Sequence, residues 1–428
     1  MEPGTPAAFI FDTFREDLVE KLSSMPLWQR VLLVFIWPPA VILISLGLTC
    51  ANGVFVARRY RRSIAAQFMD QIRLAFAHGM PPNFYYSYEL HEPHNAARVH
   101  QYVHRAYLKR SGKLYKHLYL SCPERGRRAQ ILNDKMAFDQ FCRQRNLPTA
   151  RLFAVVEDGA FAWTDPNHSI LPPLNLFVKP RKANGGRGAQ RWTYENGRYV
   201  PSEGPSLDAS QLCDHLAELS RRDACLIHEC LVNHRELQDL TAGALSTLRM
   251  YTFSTETGEV EHLFTMLRMS RDPRRVVDNV CRGGLAAQVD AATGLLGKAT
   301  DLGMLARTGW VEHHPSTGGP ILGRRIPYWR EALDLAISAH LQLEAPFFVG
   351  WDIAITERGP VIVEGNKAPD LEIEQRLCGP WGNQRFGELL VRHIKRGMGD
   401  TGVSKPMSLA NVPRPPLGAG TPILPTTR

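Results

Sequence analysis

Residues 349–366 read VGWDIAITERGPVIVEGN, and this stretch indicates how the C-terminal part of the chain folds. Two runs rich in β-branched residues flank Glu357-Arg358-Gly359, a pattern typical of a β-hairpin with glycine at a positive-φ position of the turn. A turn centred on Arg358 places Asp352 opposite Glu364. Residues paired in this way have Cβ atoms about 4.5–5.5 Å apart, so the two carboxylates should lie side by side.

Asn366 brings a third oxygen to the same place, because it lies two residues beyond Glu364 on the same strand and shares its face. Two carboxylates and an amide are hard oxygen ligands, which suit Mg²⁺ carrying nucleotide phosphates. The alternative is a solvated hairpin face with three polar side chains. Because the three residues interrupt otherwise apolar strands, we expect Asp352, Glu364 and Asn366 to hold Mg²⁺ or Mn²⁺ together with ATP.

Upstream, residues 176–188 read LFVKPRKANGGRG, a strand-like run that ends in Lys179 and continues into a glycine-rich loop. Glycines allow backbone N–H groups to approach phosphate oxygens, and the lysine supplies a point charge. The loop lacks the Gly-Lys-Ser/Thr ending of a Walker A motif, and it is not a Rossmann fingerprint. A phosphate-binding loop and a plain surface hairpin are the two interpretations of this stretch.

Shorter motifs lie between these two stretches. The run LIHECL at 226–231 contains Glu229, and Glu236 follows on the next segment. Arg249 and Arg268 each stand in a strand-like run, where an arginine can grip phosphate or carboxylate bidentately or form a structural ion pair.

Two further motifs can contribute to the same site. Asp278 and Asn279 precede the Gly283-Gly284 turn, so an acid and an amide can face the same cavity. Upstream of the glycine-rich loop, Asn133-Asp134-Lys135 opens a predicted helix, with Asn or Asp as its cap.

Composition places the chain among globular proteins with a large core, because 44% of its 428 residues are hydrophobic and 22% are charged. The formal net charge is +9, and the densest basic cluster flanks an apolar segment. This distribution favours a membrane and phosphate groups as partners over nucleic acid. The eight cysteines show no CxxC spacing, which indicates free thiols rather than a zinc or disulfide framework.

The N-terminal region predicts membrane attachment. An amphipathic segment, residues 1–30, precedes a run without charged residues at 31–57, which is longer than the roughly 20 residues needed to cross a bilayer. The arginine cluster that follows predicts an inner-membrane protein whose C-terminal bulk faces the cytoplasm. Pro38-Pro39 leaves two forms open: a kinked spanning helix, or a segment that enters and leaves on the same side. An N-terminus on the cytoplasmic side contradicts spanning.

Three more regions follow the apolar run. Residues 58–125 are predicted to be a helical or linker region, and residues 126–400 alternate helices with β-rich runs, an α+β pattern. Residues 401–428 are rich in Pro and Gly and predict a disordered tail.

The order of these motifs closely resembles that of the ATP-grasp superfamily, and most of all its sugar-transfer-associated branch, over roughly residues 120–395. The resemblance implies an α+β fold in which two lobes clasp ATP between antiparallel sheets. One departure concerns Asn366-Lys-Ala-Pro369-Asp370, since many members continue this motif as Asn-x-x-Pro-Gly. The loop that usually meets the acceptor is therefore expected to differ.

The resemblance also implies roles for single residues. Lys135 and Lys179 would bind the phosphates beneath the 184–188 loop, and Asp352, Glu364 and Asn366 would hold the metal. The phosphate loop would contain Gly185, Gly186 and Gly188. Adenine would contact Glu229, Cys230 and Leu231, and the ribose would contact Glu236. The transferred phosphoryl group or the acceptor would be stabilised by Arg249, Arg268 and Asn279.

The function implied by the resemblance is a membrane-anchored ligase that uses ATP and Mg²⁺ to activate a carboxylate as an acyl phosphate for attack by an amine or another nucleophile. Surface polysaccharide or lipid-linked sugar modification is its expected context. Two alternatives are an ATP-dependent phosphotransferase and a non-catalytic ATP-binding module of a glycan-assembly complex. The products distinguish these functions, because a ligase releases phosphate whereas a phosphotransferase leaves it on the acceptor.

Overall fold

The computed structural model describes residues 4–104, 128–165, 170–183, 185–255, 257–344, 347–367 and 370–397. The predicted disordered tail at 401–428, residues 105–125 of the predicted helical or linker region, and single positions such as Asn184 and Pro369 lie outside the described residues.

The chain begins with a series of helices. They are α1 (Pro6–Ser24), α2 (Leu27–Tyr60), α3 (Ile64–His78), α4 (Asn83–Ser87) and α5 (Pro93–Ala97), followed by a 3₁₀ turn at Val99–Gln101. Helix α2 is the one described helix long and apolar enough to cross a membrane. It runs through Pro38 and Pro39 without interruption, so the chain does not turn back at the prolines.

The N-terminal lobe is built on a six-stranded antiparallel sheet with the strand order β2-β1-β6-β3-β4-β5. Its elements are α6 (Lys135–Gln144), β1 (Leu152–Glu157), β2 (Ala160–Trp163), β3 (Leu176–Pro180), β4 (Gln190–Glu195), β5 (Arg198–Pro201), α7 (Ala209–Ser220) and β6 (Cys225–Glu229). Asp134 caps α6 by accepting from the backbone N–H groups of Met136 and Ala137, which confirms the predicted helix start.

The C-terminal lobe is built on a second six-stranded antiparallel sheet with the order β10-β9-β8-β7-β11-β12. Its elements are β7 (Thr247–Ser254), β8 (Val260–Met269), β9 (Leu285–Val289), β10 (Leu296–Thr300), α8 (Trp329–Leu343), β11 (Phe348–Thr356), β12 (Gly359–Asn366), α9 (Glu372–Cys378) and α10 (Arg385–Gly397). The predicted α+β class is confirmed.

Apolar cores cover both faces of the second sheet. On one face, Leu248 and Trp351 pack with Ala336 of α8. On the other face, Tyr251 packs in a core that includes Phe386 of α10. Side chains alternate between the two cores along β7, as expected for a strand buried on both faces.

The N-terminal helices pack against this C-terminal lobe. The side chain of Gln375 donates to the carbonyl of Val103 (2.8 Å) and accepts from its N–H (2.9 Å). Arg376, buried beside it on α9, donates to the carbonyl of Ser87 (2.5 Å) and pairs with Glu89 at 3.2 Å. The described part of the predicted 58–125 region therefore packs against the C-terminal lobe.

Candidate active site

A cavity of about 1090 Å³ lies between the lobes and is lined by residues from both sheets. It gathers most of the residues that the sequence singled out. Two of them do not line it: Gly188 and Glu236. The site is thus assembled from strand ends and loops that are far apart in the sequence.

The β11–β12 hairpin has the predicted pairing, with Asp352 opposite Glu364. Its turn is one residue shorter than predicted, because Thr356 pairs with Gly359, whose φ is +102°. A bulge at Val363 then adds one residue to β12 and restores the register at the carboxylates. The expected pair therefore depends on an irregularity that the sequence did not reveal.

Arginines already occupy the carboxylate of Asp352; the sequence left a structural ion pair open for each of them but did not identify this partner. Arg249, its cross-strand partner on β7, donates to both oxygens, from Nε to Oδ1 and from Nη2 to Oδ2 (3.2 Å), and Arg268 Nη2 lies 3.1 Å from Oδ2. Burial alone would raise the pKa of Asp352, but the two guanidiniums outweigh it and hold that pKa below its usual value. Arg268 also pairs with the buried Asp278 at 3.2 Å.

Glu364 and Asn366 have different surroundings from Asp352. The side chain of Glu364 forms no ion pair or hydrogen bond with another described residue, although its charge acts on Lys179 through space. The side-chain nitrogen of Asn366 is buried without a hydrogen-bond partner in the described part of the chain. The carboxylate of Glu364 and the amide oxygen of Asn366, together with Asp352, supply oxygen atoms of the kind that Mg²⁺ takes as ligands, while the unpartnered amide nitrogen could only donate a hydrogen bond.

Two lysines stand close to these oxygens. Lys135, the first residue of α6, donates to the carbonyl of Ala183, at the start of the glycine-rich loop. Lys179, at the end of β3, lies in the cavity wall. Burial lowers the pKa of Lys179 below its usual value; the negative charge of Glu364 opposes this shift, while Lys135 adds to it. An anion bound here would relieve the unfavourable burial of this cation.

The glycine-rich loop closes over the cavity from the N-terminal lobe. Gly185 and Gly186 both have left-handed φ angles, +65° and +69°. A Cβ added at Gly186 would lie 2.6 Å from Cγ1 of Val277, so the loop touches the opposite lobe at this point. Gly188 packs against Pro180 behind the loop instead of lining the cavity.

Residues 229–231, for which the resemblance implies a contact with adenine, line the far end of the cavity. The Glu229 carboxylate is held by Arg358 (2.8 Å) and by the backbone N–H of Arg151 (3.0 Å). The backbone N–H groups of Leu231 and Val232 have no hydrogen-bond partner among the described residues, and Val232, not singled out before, also lines the cavity.

Glu236 does not reach this end of the cavity. It is exposed on the 3₁₀ helix Arg235–Leu240, which turns its side chain away, so the ribose contact implied for Glu236 is not supported. Asn233 and Gln238, from the same part of the chain, line the cavity in its place.

The opposite end of the cavity is acidic, and the sequence reasoning missed its central residue. Glu374, on α9, is 1% exposed, and its Oε1 accepts from Tyr251, whereas Oε2 has no partner in the described part of the chain. Burial raises the pKa of Glu374 to about 8. Asp370 and Glu372 line the same end. One signal in the sequence pointed to these acids. Asp370 stands where many family members have the glycine of Asn-x-x-Pro-Gly, and Glu372 and Glu374 follow it.

Comparison with known proteins identifies this arrangement. The sugar-transfer-associated ATP-grasp family matches residues 115–379. The chain belongs to this family. It has the ATP-grasp fold, with two sheet-based lobes around a cavity and a long apolar helix near the N-terminus.

A search of solved structures found several that are similar to part of this chain. D-alanine–D-alanine ligase from Bacillus anthracis, complexed with ATP, is 11% identical over 64% of this chain and 69% of its own, with a TM-score of 0.36. D-alanyl-alanine synthetase A from Vibrio cholerae O1 biovar eltor str. N16961 is 10% identical over 63% and 66%, with a TM-score of 0.38.

L-amino acid ligase from Bacillus licheniformis is 11% identical over 61% of this chain, with a TM-score of 0.35. The match spans about half of that ligase, 48% of its length. No curated protein sequence matches this member of the sugar-transfer-associated ATP-grasp family.

Proposed function

We propose that the protein is a membrane-associated, ATP- and Mg²⁺-dependent ligase that activates a carboxylate as an acyl phosphate for attack by an amine or another nucleophile. One observation carries the proposal: Glu364 and Asn366 lie with two lysines in one cavity, roofed by a glycine-rich loop. Membership of the ATP-grasp family supports the use of ATP.

The nucleotide would lie along the cavity with its phosphates at the lysines. Lys135 and Lys179 would neutralise phosphate charge, and backbone N–H groups of the loop at Gly185 and Gly186 would cover them. At the other end, the free N–H groups of Leu231 and Val232 would receive adenine. Such an arrangement would leave the γ-phosphate near the acidic end of the cavity.

Asp352, Glu364 and Asn366 would hold Mg²⁺. When bound, Mg²⁺ would supply positive charge that neutralises the charge developing on the phosphates. Asp352 would also hold the guanidinium groups of Arg249 and Arg268 in place in the cavity wall, because it forms ion pairs with both. We propose that these arginines, with Asn279, stabilise the transferred phosphoryl group or the acceptor.

The proposed reaction has two steps, phosphorylation of the carboxylate and attack of the nucleophile on the acyl phosphate. A carboxylate oxygen attacks the γ-phosphorus, the bond to the β–γ bridging oxygen breaks, and ADP leaves with that electron pair. The nucleophile then attacks the acyl carbon, phosphate leaves, and the proton of the nucleophile passes to a base. The chain contributes positioning and charge neutralisation, and no covalent protein intermediate is needed.

The cellular setting is part of the proposal. We place the lobes at the cytoplasmic face of the inner membrane; the apolar helix α2 supports membrane attachment, and the arginines that follow it support the cytoplasmic side. The association of the family with sugar transfer supports a glycan or lipid-linked sugar as one substrate, in polysaccharide biosynthesis.

Isotope transfer tests this function directly. The full-length protein in detergent would receive Mg-ATP, a pool of ¹⁸O-carboxylate-labelled amino acids, and a membrane lipid extract from the cell of origin. We expect ADP and inorganic phosphate that carries one ¹⁸O atom. Label in AMP would indicate an adenylate, stable phosphate on the acceptor would indicate a kinase, and failure to bind Mg-ATP would exclude an ATP-dependent enzyme. Each of these three results overturns the proposal.

A further inference from the structure

The first half of α1 belongs to the C-terminal lobe. Ile10 is 1% exposed and packs in the same core as Phe386 and Leu390 of α10. The backbone N–H of Ala7 donates to the side chain of Asn383 at 2.9 Å. The beginning of the chain is therefore fixed to the catalytic lobes, on whichever side of a membrane those lobes lie.

The second half of α2 is fixed to the same body. The side chain of Asn52 donates to the carbonyl of Met304 (3.2 Å) and accepts from the N–H of Ala306 (2.8 Å). Val56 is fully buried, and Thr49 accepts a hydrogen bond from Gln71 of α3 at 2.8 Å. Both ends of the α1–α2 pair are thus attached to one folded unit.

Between these attachments, the first half of α2 is exposed. It includes Phe35, which is 72% exposed, and Leu43, which is 67% exposed. Soluble monomers rarely expose apolar surface on this scale, which marks an interaction site. Basic side chains stand at both ends of α2, with Arg30 near its start and exposed Arg58 and Arg59 near its end.

A complete crossing of the bilayer conflicts with the two attachments. If α2 crossed, its start would lie on the far side, and α1 would have to return through the hydrocarbon to reach α10. Helix α1 carries six charged residues: Asp12, Arg15, Glu16, Asp17, Glu20 and Lys21. Each acidic or basic residue costs about 2.5–3.5 kcal/mol at the centre of a membrane helix.

We propose that α1 and α2 form a one-sided anchor, in which the exposed half of α2 (27–46) inserts into a single leaflet of an anionic phospholipid bilayer. The arginines at its ends contact the lipid headgroups. The N-terminus and the ATP-grasp lobes stay on the same side. This arrangement differs from both forms expected from the sequence, because the chain reverses at Met25-Pro26 and not at Pro38-Pro39.

The anchor lies behind the acidic end of the cavity. Glu374 lines the cavity from α9, while the next two residues, Gln375 and Arg376, bond to the N-terminal helical layer that holds α2. A lipid-linked acceptor in the same leaflet would therefore approach this end of the site. The inference rests on the proposed membrane association but not on the ligase chemistry.

Topology is tested with epitope tags at the two termini of the full-length protein. Sealed membrane vesicles of known orientation would be treated with protease outside. We expect both tags to be digested in the same vesicle orientation and both to be protected in the opposite one. An N-terminal tag protected where the C-terminal tag is digested would overturn the one-sided anchor, whatever the enzyme does.

Lipid binding is tested by flotation with phosphatidylcholine vesicles, with and without phosphatidylglycerol. We expect at least tenfold more protein to float with the anionic vesicles, and the double variant Phe35→Glu/Leu43→Glu to lose flotation. Leu341→Glu, on the exposed side of α8, is the matched control and should float normally. The thermal unfolding transition shows that the double variant is folded. A stable lipid-free dimer that ignores vesicles would mean that a second copy covers α2, and would overturn the proposal.

Discussion

Single charged residues in the cavity differ in how completely the fold has already paired them. Asp352 is paired with Arg249 and Arg268, whereas the side chains of Glu364 and Lys179 have no direct partner in the described part of the chain. Unpaired charge in a wall between two lobes is unfavourable unless a ligand completes it. We therefore assign Glu364 the larger part in metal binding.

Replacing Glu364 by Gln tests that assignment. The change removes a negative charge that stabilises no other described residue except Lys179 through space, so the fold should persist. We expect ATP turnover to fall about 100-fold or more, as when a group that stabilises transition-state charge is lost. Glu357→Gln, at the exposed turn of the same hairpin, is the control and should retain activity. Equal activity of the two variants would remove Glu364 from the metal site.

Glu374 predicts a pH dependence of stability. Burial raises its pKa from 4.5 to about 8, so the folded protein binds this proton more tightly than the unfolded chain. The free energy of unfolding should therefore decrease as pH rises from about 4.5 to about 8, and this contribution is fully present only below that window. In Glu374→Gln the decrease should be smaller, which urea unfolding across this pH range measures. An unchanged slope would contradict the buried neutral acid.

At the scale of elements, the glycine-rich loop and the segment around Val277 meet across the lobes. The loop joins β3 to β4, whereas Val277 precedes the 3₁₀ turn Val280–Arg282 of the other lobe. Because Gly186 leaves no room for a side chain at this contact, the closed loop requires glycine there. Through this contact, closing the loop over the phosphates is coupled to bringing the two lobes together.

Gly186→Ala should therefore weaken ATP use by hindering loop closure. We expect KM for ATP to rise about tenfold, measured by steady-state turnover. Gly197→Ala is the matched control, since its φ of +78° carries similar strain but no atom lies within 4 Å of the added Cβ. Both variants should lose about 1 kcal/mol of stability, so only the kinetics should separate them. A KM increase in both would assign the effect to backbone strain.

At the scale of the whole molecule, the helices before the ATP-grasp lobes are part of one folded body. Helix α1 covers the second sheet together with α10, and α2 to α5 pack behind α9. A protein shortened to remove residues 1–60 would uncover the site of Ile10 and lose the contacts of Asn52. Studies of activity therefore require the full chain.

Ile10→Ala should destabilise the lobes as a core substitution does. We expect a loss of about 2–5 kcal/mol in the free energy of unfolding, since the side chain leaves a cavity beside α10. Val19→Ala, on the same helix but 59% exposed, should change it by less than about 0.5 kcal/mol. Similar small effects of both changes in denaturant unfolding would show that α1 is not docked on the lobe.

Much of the fold and part of the candidate site could be predicted because their signals are local. Alternation of apolar residues and a glycine turn specify the β11–β12 hairpin, and glycines specify the loop after Lys179. The opposed positions of Asp352 and Glu364 were correct, although the turn was placed one residue off and the bulge at Val363 compensated for it.

The sequence alone determined the strands, the hairpin, the phosphate-type loop and the apolar helix, because each is defined by the spacing of neighbouring residues. Only the tertiary structure decided which charges meet. It paired Asp352 with two arginines, turned Glu236 outward, buried Glu374 against Tyr251 and docked α1 on α10. Several of these outcomes depend on contacts between segments that lie more than a hundred residues apart in the sequence. Local periodicity carries no information about such contacts, since burial and Coulomb energies arise only when the segments come together.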